Sequence, residues 1–179
     1  MLVLVIIVLV IVAAMGYQKY RGVQALTFTH VDIAGLTLDE IVSVGTTASG
    51  SLAGRLTGGT PTAQRTDGGA TWRAQIQGSV MTFSAASLPS GQGYRVGGVA
   101  TTMRIGQNRI GSNQGLYGLA KAITNVIFRV LGIPHNAPAL VRRRNRVLRA
   151  ITNAGTVIEP EPAPVPLAEG AYEGRHGNA

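Results

Sequence analysis

The chain has 179 residues, with sixteen Lys and Arg against eight Asp and Glu, a net charge of +8 and no cysteine. That length leaves room for one domain beside its terminal segments, and the missing cysteine excludes disulfides, thiolate nucleophiles and Cys-based zinc sites. The charge is uneven. Before residue 159, fifteen basic residues face only Asp32, Asp39, Glu40 and Asp67, a net +11, whereas Glu159, Glu161, Glu169 and Glu173 stand against Arg175 alone, a net −3. A basic body of this kind is drawn to anionic lipid or nucleic acid.

Residues 1–17, MLVLVIIVLVIVAAMGY, hold no charged side chain and are mostly Val, Ile, Leu and Ala. This run reads as a transmembrane anchor at the short limit of a spanning helix, which needs about 17–25 apolar residues. Tyr17 and Tyr20 sit where an interfacial aromatic belt belongs, and Lys19 and Arg21 flank it. Two other readings compete. Val12 and Ala14 suit a signal-peptide cleavage site, although the charged n-region is missing. A long Val/Ile run also suits a buried core strand. With Lys19 and Arg21 on the C-terminal side, the positive-inside rule expects the soluble domain in the cytoplasm, an orientation that basic residues upstream of Met1 would reverse. Residues 18–22 then form a juxtamembrane linker.

Residues 23–155 are expected to form an α+β domain, an antiparallel sheet of about 4–5 strands covered by helices. Residues 23–31 alternate like a strand. Thr37 and Glu40 make a capping box that starts a helix over 38–48, with Leu38, Ile41, Val42 and Gly45 toward the core. Asp67-Gly68 is a hairpin turn between residues 62–66 and 69–77. Strands follow over 80–86 and 94–104, the latter with a bulge expected at Gly97-Gly98. Residues 106–115 form a polar loop, and 116–131 have the periodicity of a long helix. Its apolar arc is Leu116, Leu119, Ala120, Ile123, Val126, Ile127, Val130 and Leu131. Gly132 and Pro134 stop that helix, and Pro138 opens a last one to Ile151. Residues 156–179, with EPEPAPVP near their start, read as a disordered Pro/Gly-rich acidic tail.

The last helix carries the main candidate site. Arg142, Arg143, Arg146 and Arg149 project to one side, and Leu140, Val141, Val147, Leu148 and Ile151 to the other. Such a basic amphipathic helix suits the surface of an anionic membrane, and Lys19 and Arg21 join it as membrane-surface or anion contacts. Arg144 falls inside the apolar arc, which calls for snorkelling or for an acidic partner such as Asp32. Of the chain's nine aromatic residues none interleaves these arginines, which argues against nucleic acid.

Other constellations are weaker. His30 and Asp32 share a strand face, but two ligands are too few for a metal, and His135 and His176 lie elsewhere. Arg104 before the 106–115 loop and Arg109 within it could hold an anion beside the following helix N-terminus, but the loop lacks the G-K-[ST] ending of a phosphate loop. There is no G-x-S-x-G elbow. Asp39 and Glu40 suit a helix start and Asp67 a turn, so little remains for paired-carboxylate chemistry. The expectation is therefore a single-pass membrane-anchored protein without enzymatic activity, cofactor or metal. Its basic domain would serve binding or scaffolding at the bilayer, with anionic phospholipid head groups or a protein as partner. The alternative is a tethered module that binds a lipid or small hydrophobic ligand between the sheet and the 116–131 helix.

Overall fold

The computed structural model describes residues 2–50, 61–103, 123, 126–132, 134 and 136–159. The fold is α+β, with an N-terminal apolar helix and an antiparallel six-stranded sheet ordered β2-β3-β4-β5-β1-β6. The helices are α1 (Leu2–Leu26), α2 (Leu38–Ser49) and α3 (Ala137–Ala154). The strands are β1 (Thr29–Ala34), β2 (Ala63–Thr66), β3 (Gly69–Ile76), β4 (Ser79–Ser87), β5 (Tyr94–Thr102) and β6 (Thr156–Val157). Strands β2 to β5 run as a meander, and β1 closes against β5. The sheet is slightly larger than expected, because Thr156 and Val157, assigned above to the tail, pair with Ala34 and Ile33. The rest of that tail lies outside the described residues, as do residues 106–115 and most of the 116–131 helix.

The helix at the N-terminus does not end at Tyr17. It continues through 18–22, read above as a linker, and through 23–26, read as the start of a strand. At about 1.5 Å per residue its 25 residues span roughly 38 Å. Its two halves meet different surroundings. Residues 6–14 are exposed on every side, Ile6 at 51% and Val10 at 62%. From Met15 on, one face withdraws from solvent at helical spacing: Met15, Gln18, Gly22 and Ala25, the last fully buried. A Cβ at Gly22 would stand 3.0 Å from the Pro134 ring, so the glycine admits the chain that enters α3.

One face of the sheet supplies Ile33, Trp72, Ala74, Ile76, Met81, Phe83, Ala85, Val96 and Ala100 to the core. Trp72 and Phe83 oppose each other across β3 and β4 and stack with centroids 5.5 Å apart. Ile41 and Ala48 of α2 and Leu140, Val141, Val147, Leu148 and Ile151 of α3 close over them. At Gly45 any Cβ would collide with the Trp72 indole, so this position sets how closely α2 approaches the sheet. The expected capping box is present. Thr37 accepts from the Glu40 amide, and the Glu40 carboxylate accepts from the Thr37 amide at 2.8 Å. Those hydrogen bonds from Thr37 hold the Glu40 carboxyl below the ordinary glutamate value.

No bulge forms at Gly97-Gly98, which pair in register with β4 and β1; the irregularity falls at Val80/Met81. The two glycines serve close approach instead. A Cβ at Gly97 would collide with the Phe28 ring, and one at Gly98 would lie 2.7 Å from Phe83 on the other face. The turn into β4 is at Gln77-Gly78, both with positive φ, as a two-residue hairpin turn requires. In the 116–131 helix, residues 126–130 are helical, yet Ile123, Val126, Val130 and Leu131 are exposed and Phe128 is buried. Periodicity identified which residues share a face, but not which face docks.

Opposite the core, Asp32 and Arg95 face each other across β1 and β5. They form a bidentate pair, Nε to Oδ1 and Nη2 to Oδ2, both at 2.7 Å, with side chains 0% and 6% exposed. Breaking such a pair leaves a charge buried without compensation. Arg95→Leu is expected to lower unfolding stability by about 3–5 kcal/mol, and Asp32→Leu in the same chain to restore most of it. Urea titration followed by the fluorescence of Trp72, the sole tryptophan, measures both. Acid should loosen the start of α2. The contribution of a carboxyl held low is complete above its ordinary value of about 4.3 and is lost as the pH falls through the lowered one. Glu40→Gln should remove that acid dependence of helix content, read by circular dichroism.

Candidate functional site

The helix α3 starts with Pro138 in its first turn, where the missing N–H costs nothing. Asn136, at the N-cap position, turns its side chain elsewhere, with Nδ2 donating to the Ile76 carbonyl and the Ser79 hydroxyl. This ties the entry of α3 to the turn between β3 and β4. The chain entering α3 touches Gly22, and ten residues later Arg144 reaches Gln24 and Thr27. The entry of α3 and Arg144 within it therefore both meet the C-terminal end of α1.

The five arginines of α3 do three different things. Arg142, Arg146 and Arg149 are exposed, and with Asn145, Ala150 and Asn153 they line an open groove of about 470 Å³. No carboxylate among the described residues pairs with these three guanidinium groups. Arg143, expected on the same face, turns away. Its Nη1 donates to the Ser49 carbonyl at 2.9 Å and to the Gly50 carbonyl, at the C-terminal end of α2.

Arg144 is 5% exposed, and its partners are not acids. Its Nη1 donates to the carbonyls of Gln24 at 2.6 Å and Thr27 at 2.7 Å, at the C-terminal end of α1. Asp32, the acid named as a possible partner, is held by Arg95 instead. A helix C-terminus leaves carbonyls without intrahelical donors and carries partial negative charge, so a buried guanidinium finds compensation there. Burial, and secondarily the nearby charge of Arg21, shift the Arg144 value down from its ordinary one. An arginine keeps its proton at neutral pH nonetheless.

Lys19 and Arg21 lie on α1. Lys19 is exposed. Arg21 stands 5.3 Å over the Tyr17 ring and bonds the Tyr17 hydroxyl and the Gln24 side chain, each at 3.1 Å. Gln24 in turn donates to the Tyr20 hydroxyl at 2.7 Å. Tyr17, Tyr20, Arg21 and Gln24 are thereby one connected polar stripe along a single face of the helix, just below its exposed apolar half.

The weaker candidates separate. His30 is exposed and stacks on Phe28 at 5.8 Å, while Asp32 is buried with Arg95, so the strand pair is not a shared metal or acid–base site. Among the described residues no cluster of His and acids is able to hold a metal ion. Arg104, Arg109, His135 and His176 lie outside the described residues. Alternation along β5 places Arg95 on the Asp32 side, but its partnership needed the strand order, which puts β1 next to β5.

No protein-family model matches this chain, and neither a curated protein nor a solved structure matches it.

Each hydrogen bond to a charged group is worth about 1.5–3 kcal/mol. Arg144→Leu, which loses two such bonds, is expected to cost about 3–6 kcal/mol and to undock the second half of α1. Trypsin cleavage after Lys19 and Arg21 should then accelerate at least tenfold, whereas Arg142→Leu should leave the cleavage rate unchanged.

Proposed function

We propose that this chain is a single-pass membrane protein without enzymatic activity, whose basic domain binds or scaffolds at the anionic surface of the same bilayer. The observation that supports this reading most is the continuity of α1. An apolar half exposed on all sides runs without a break into a half docked on the domain. A helix that is apolar all round is covered by lipid or by protein, and an 18-residue window within Ile6–Leu26 is apolar enough to cross a membrane. A signal sequence or the core helix of a soluble protein passes the same test, but residues 6–14 are exposed on every side, which weighs against a core helix.

The second support is the placement of α3. Arg144 ties α3 to the end of α1, which keeps the exposed arginines of the same helix close to the segment proposed to span and within reach of the head groups. Each is then worth about 1 kcal/mol on an anionic leaflet. We assign that contact to Arg142, Arg146 and Arg149, with Lys19 and Arg21 at the point of entry. Arg143 is left out because it closes α2. By the positive-inside rule, Lys19 and Arg21 put the domain on the cytoplasmic side. The alternative of a hydrophobic ligand beneath the 116–131 helix draws no support from the described part of that helix, whose apolar residues face outward apart from Ile127 and Phe128.

A form that begins at Met15 removes the exposed half of α1 and keeps the docked face. It is expected to float with vesicles containing phosphatidylserine at low salt and not with pure phosphatidylcholine. Replacing Arg142, Arg146 and Arg149 together by Gln should weaken that binding about 100-fold, three contacts of about 1 kcal/mol each. Equal behaviour on both lipids would remove the surface-binding reading. Mass analysis of the membrane-bound full chain distinguishes anchor from signal peptide, since cleavage after Ala14 releases the apolar half.

A further inference from the structure

The groove of α3 and the acidic end of the sequence are separated by few residues of chain. Strand β6 follows α3 after a single residue, Gly155, and Glu159 comes two residues after β6. From Glu159 the sequence continues through Glu161, Glu169 and Glu173, with four prolines between 160 and 166. We infer that this acidic segment folds back onto α3 and occupies the groove lined by Arg142, Arg146 and Arg149.

Three observations support this. The charges are complementary: net −3 over residues 159–179 faces three guanidinium groups that have no carboxylate partner among the described residues. The reach suffices. Residues 159–173 in the extended form favoured by proline cover roughly 43 Å, at 3.1 Å per residue. The groove from Asn153 back to Arg142 is eleven residues of helix, about 17 Å long. The connection is short and starts at a fixed point, because Ile158 donates to the Asp32 carbonyl at 3.0 Å and holds the exit of the chain to β1. A short linker of this kind gives an effective concentration on the order of millimolar, so exposed ion pairs that are weak singly act together at low salt. The consequence is competition: the segment and an anionic lipid head group draw on the same three arginines. That consequence rests on the lipid-surface reading above; the docking itself does not.

The chain lacks cysteine and has only two lysines, Lys19 and Lys121, which makes a zero-length amine–carboxylate cross-link a clean probe. Full chain carrying Arg146→Lys is placed one copy per nanodisc of phosphatidylcholine and treated with carbodiimide at 20 mM and at 0.5 M salt (roughly 20 and 4 Å of screening length). The expected result is a cross-link from position 146 to Glu161, Glu169 or Glu173. It should exceed by tenfold the yield from the control Arg73→Lys, an exposed position on β3, and fall at least tenfold at high salt. Equal yields from the two positions, or a cross-link from position 146 only to carboxylates outside residues 159–179, would overturn the docking. In nanodiscs of phosphatidylglycerol, an anionic lipid with neither amine nor carboxylate, the yield should drop about tenfold. A yield unchanged by lipid, with the cross-link intact, keeps the docking and discards the competition.

Discussion

Two adjacent arginines tie α3 to the ends of α1 and α2. Arg143 and Arg144 leave α3 in different directions, and each donates into the C-terminal end of another helix, Arg143 into α2 and Arg144 into α1. The physical need is general. Every helix ends with carbonyls that lack intrahelical donors and with partial negative charge. A guanidinium answers both demands, because it carries a permanent charge and several N–H groups fixed in one plane. A single turn of α3 therefore caps the C-terminal ends of both α1 and α2. The sheet makes room for this arrangement at Gly98, where a Cβ would lie 3.4 Å from the Arg144 side chain.

The clasp at Arg144 changes what the N-terminal segment is mechanically. A flexible linker would let the domain turn freely under its anchor. Here the second half of α1 is part of the domain: Ala25 belongs to the core, Gly22 receives Pro134, and the end of the helix is bound by Arg144. The exposed apolar half continues the same helix, so its direction and that of the domain are coupled. Arg142, Arg146 and Arg149 consequently face one way relative to α1, and whatever they bind is met in a set orientation.

Much of this was legible from residue types. The uncharged run over 1–17, the Thr37–Glu40 capping box, the Asp67-Gly68 hairpin and the amphipathic pattern over 137–151 are local signals, carried by residues within a few positions of one another. The failures were of another sort. The stretch QKYRGVQAL looks polar and mixed, so the helix seemed to stop; it continues because Gly22 and Ala25 pack and Arg144 caps its end, contacts more than a hundred positions distant in the chain. Gly97-Gly98 suggested a bulge, since glycine weakens a strand, whereas the pair admits Phe28 on one face and Phe83 on the other. The Arg142–Arg149 face was visible from periodicity, but the exit of Arg143 from it was not.

By itself, the sequence determined which residues avoid water, where helices begin and where the charge lies. Those properties follow from side-chain chemistry at spacings of two to four residues. Only the tertiary structure decided the roles of the arginines, dividing one basic helix into two helix clasps and a three-residue groove. The reason is that a guanidinium's environment depends on which carbonyls and carboxylates the fold brings within about 3 Å. Here those groups belong to α1, α2 and β1, up to 120 residues away in the sequence.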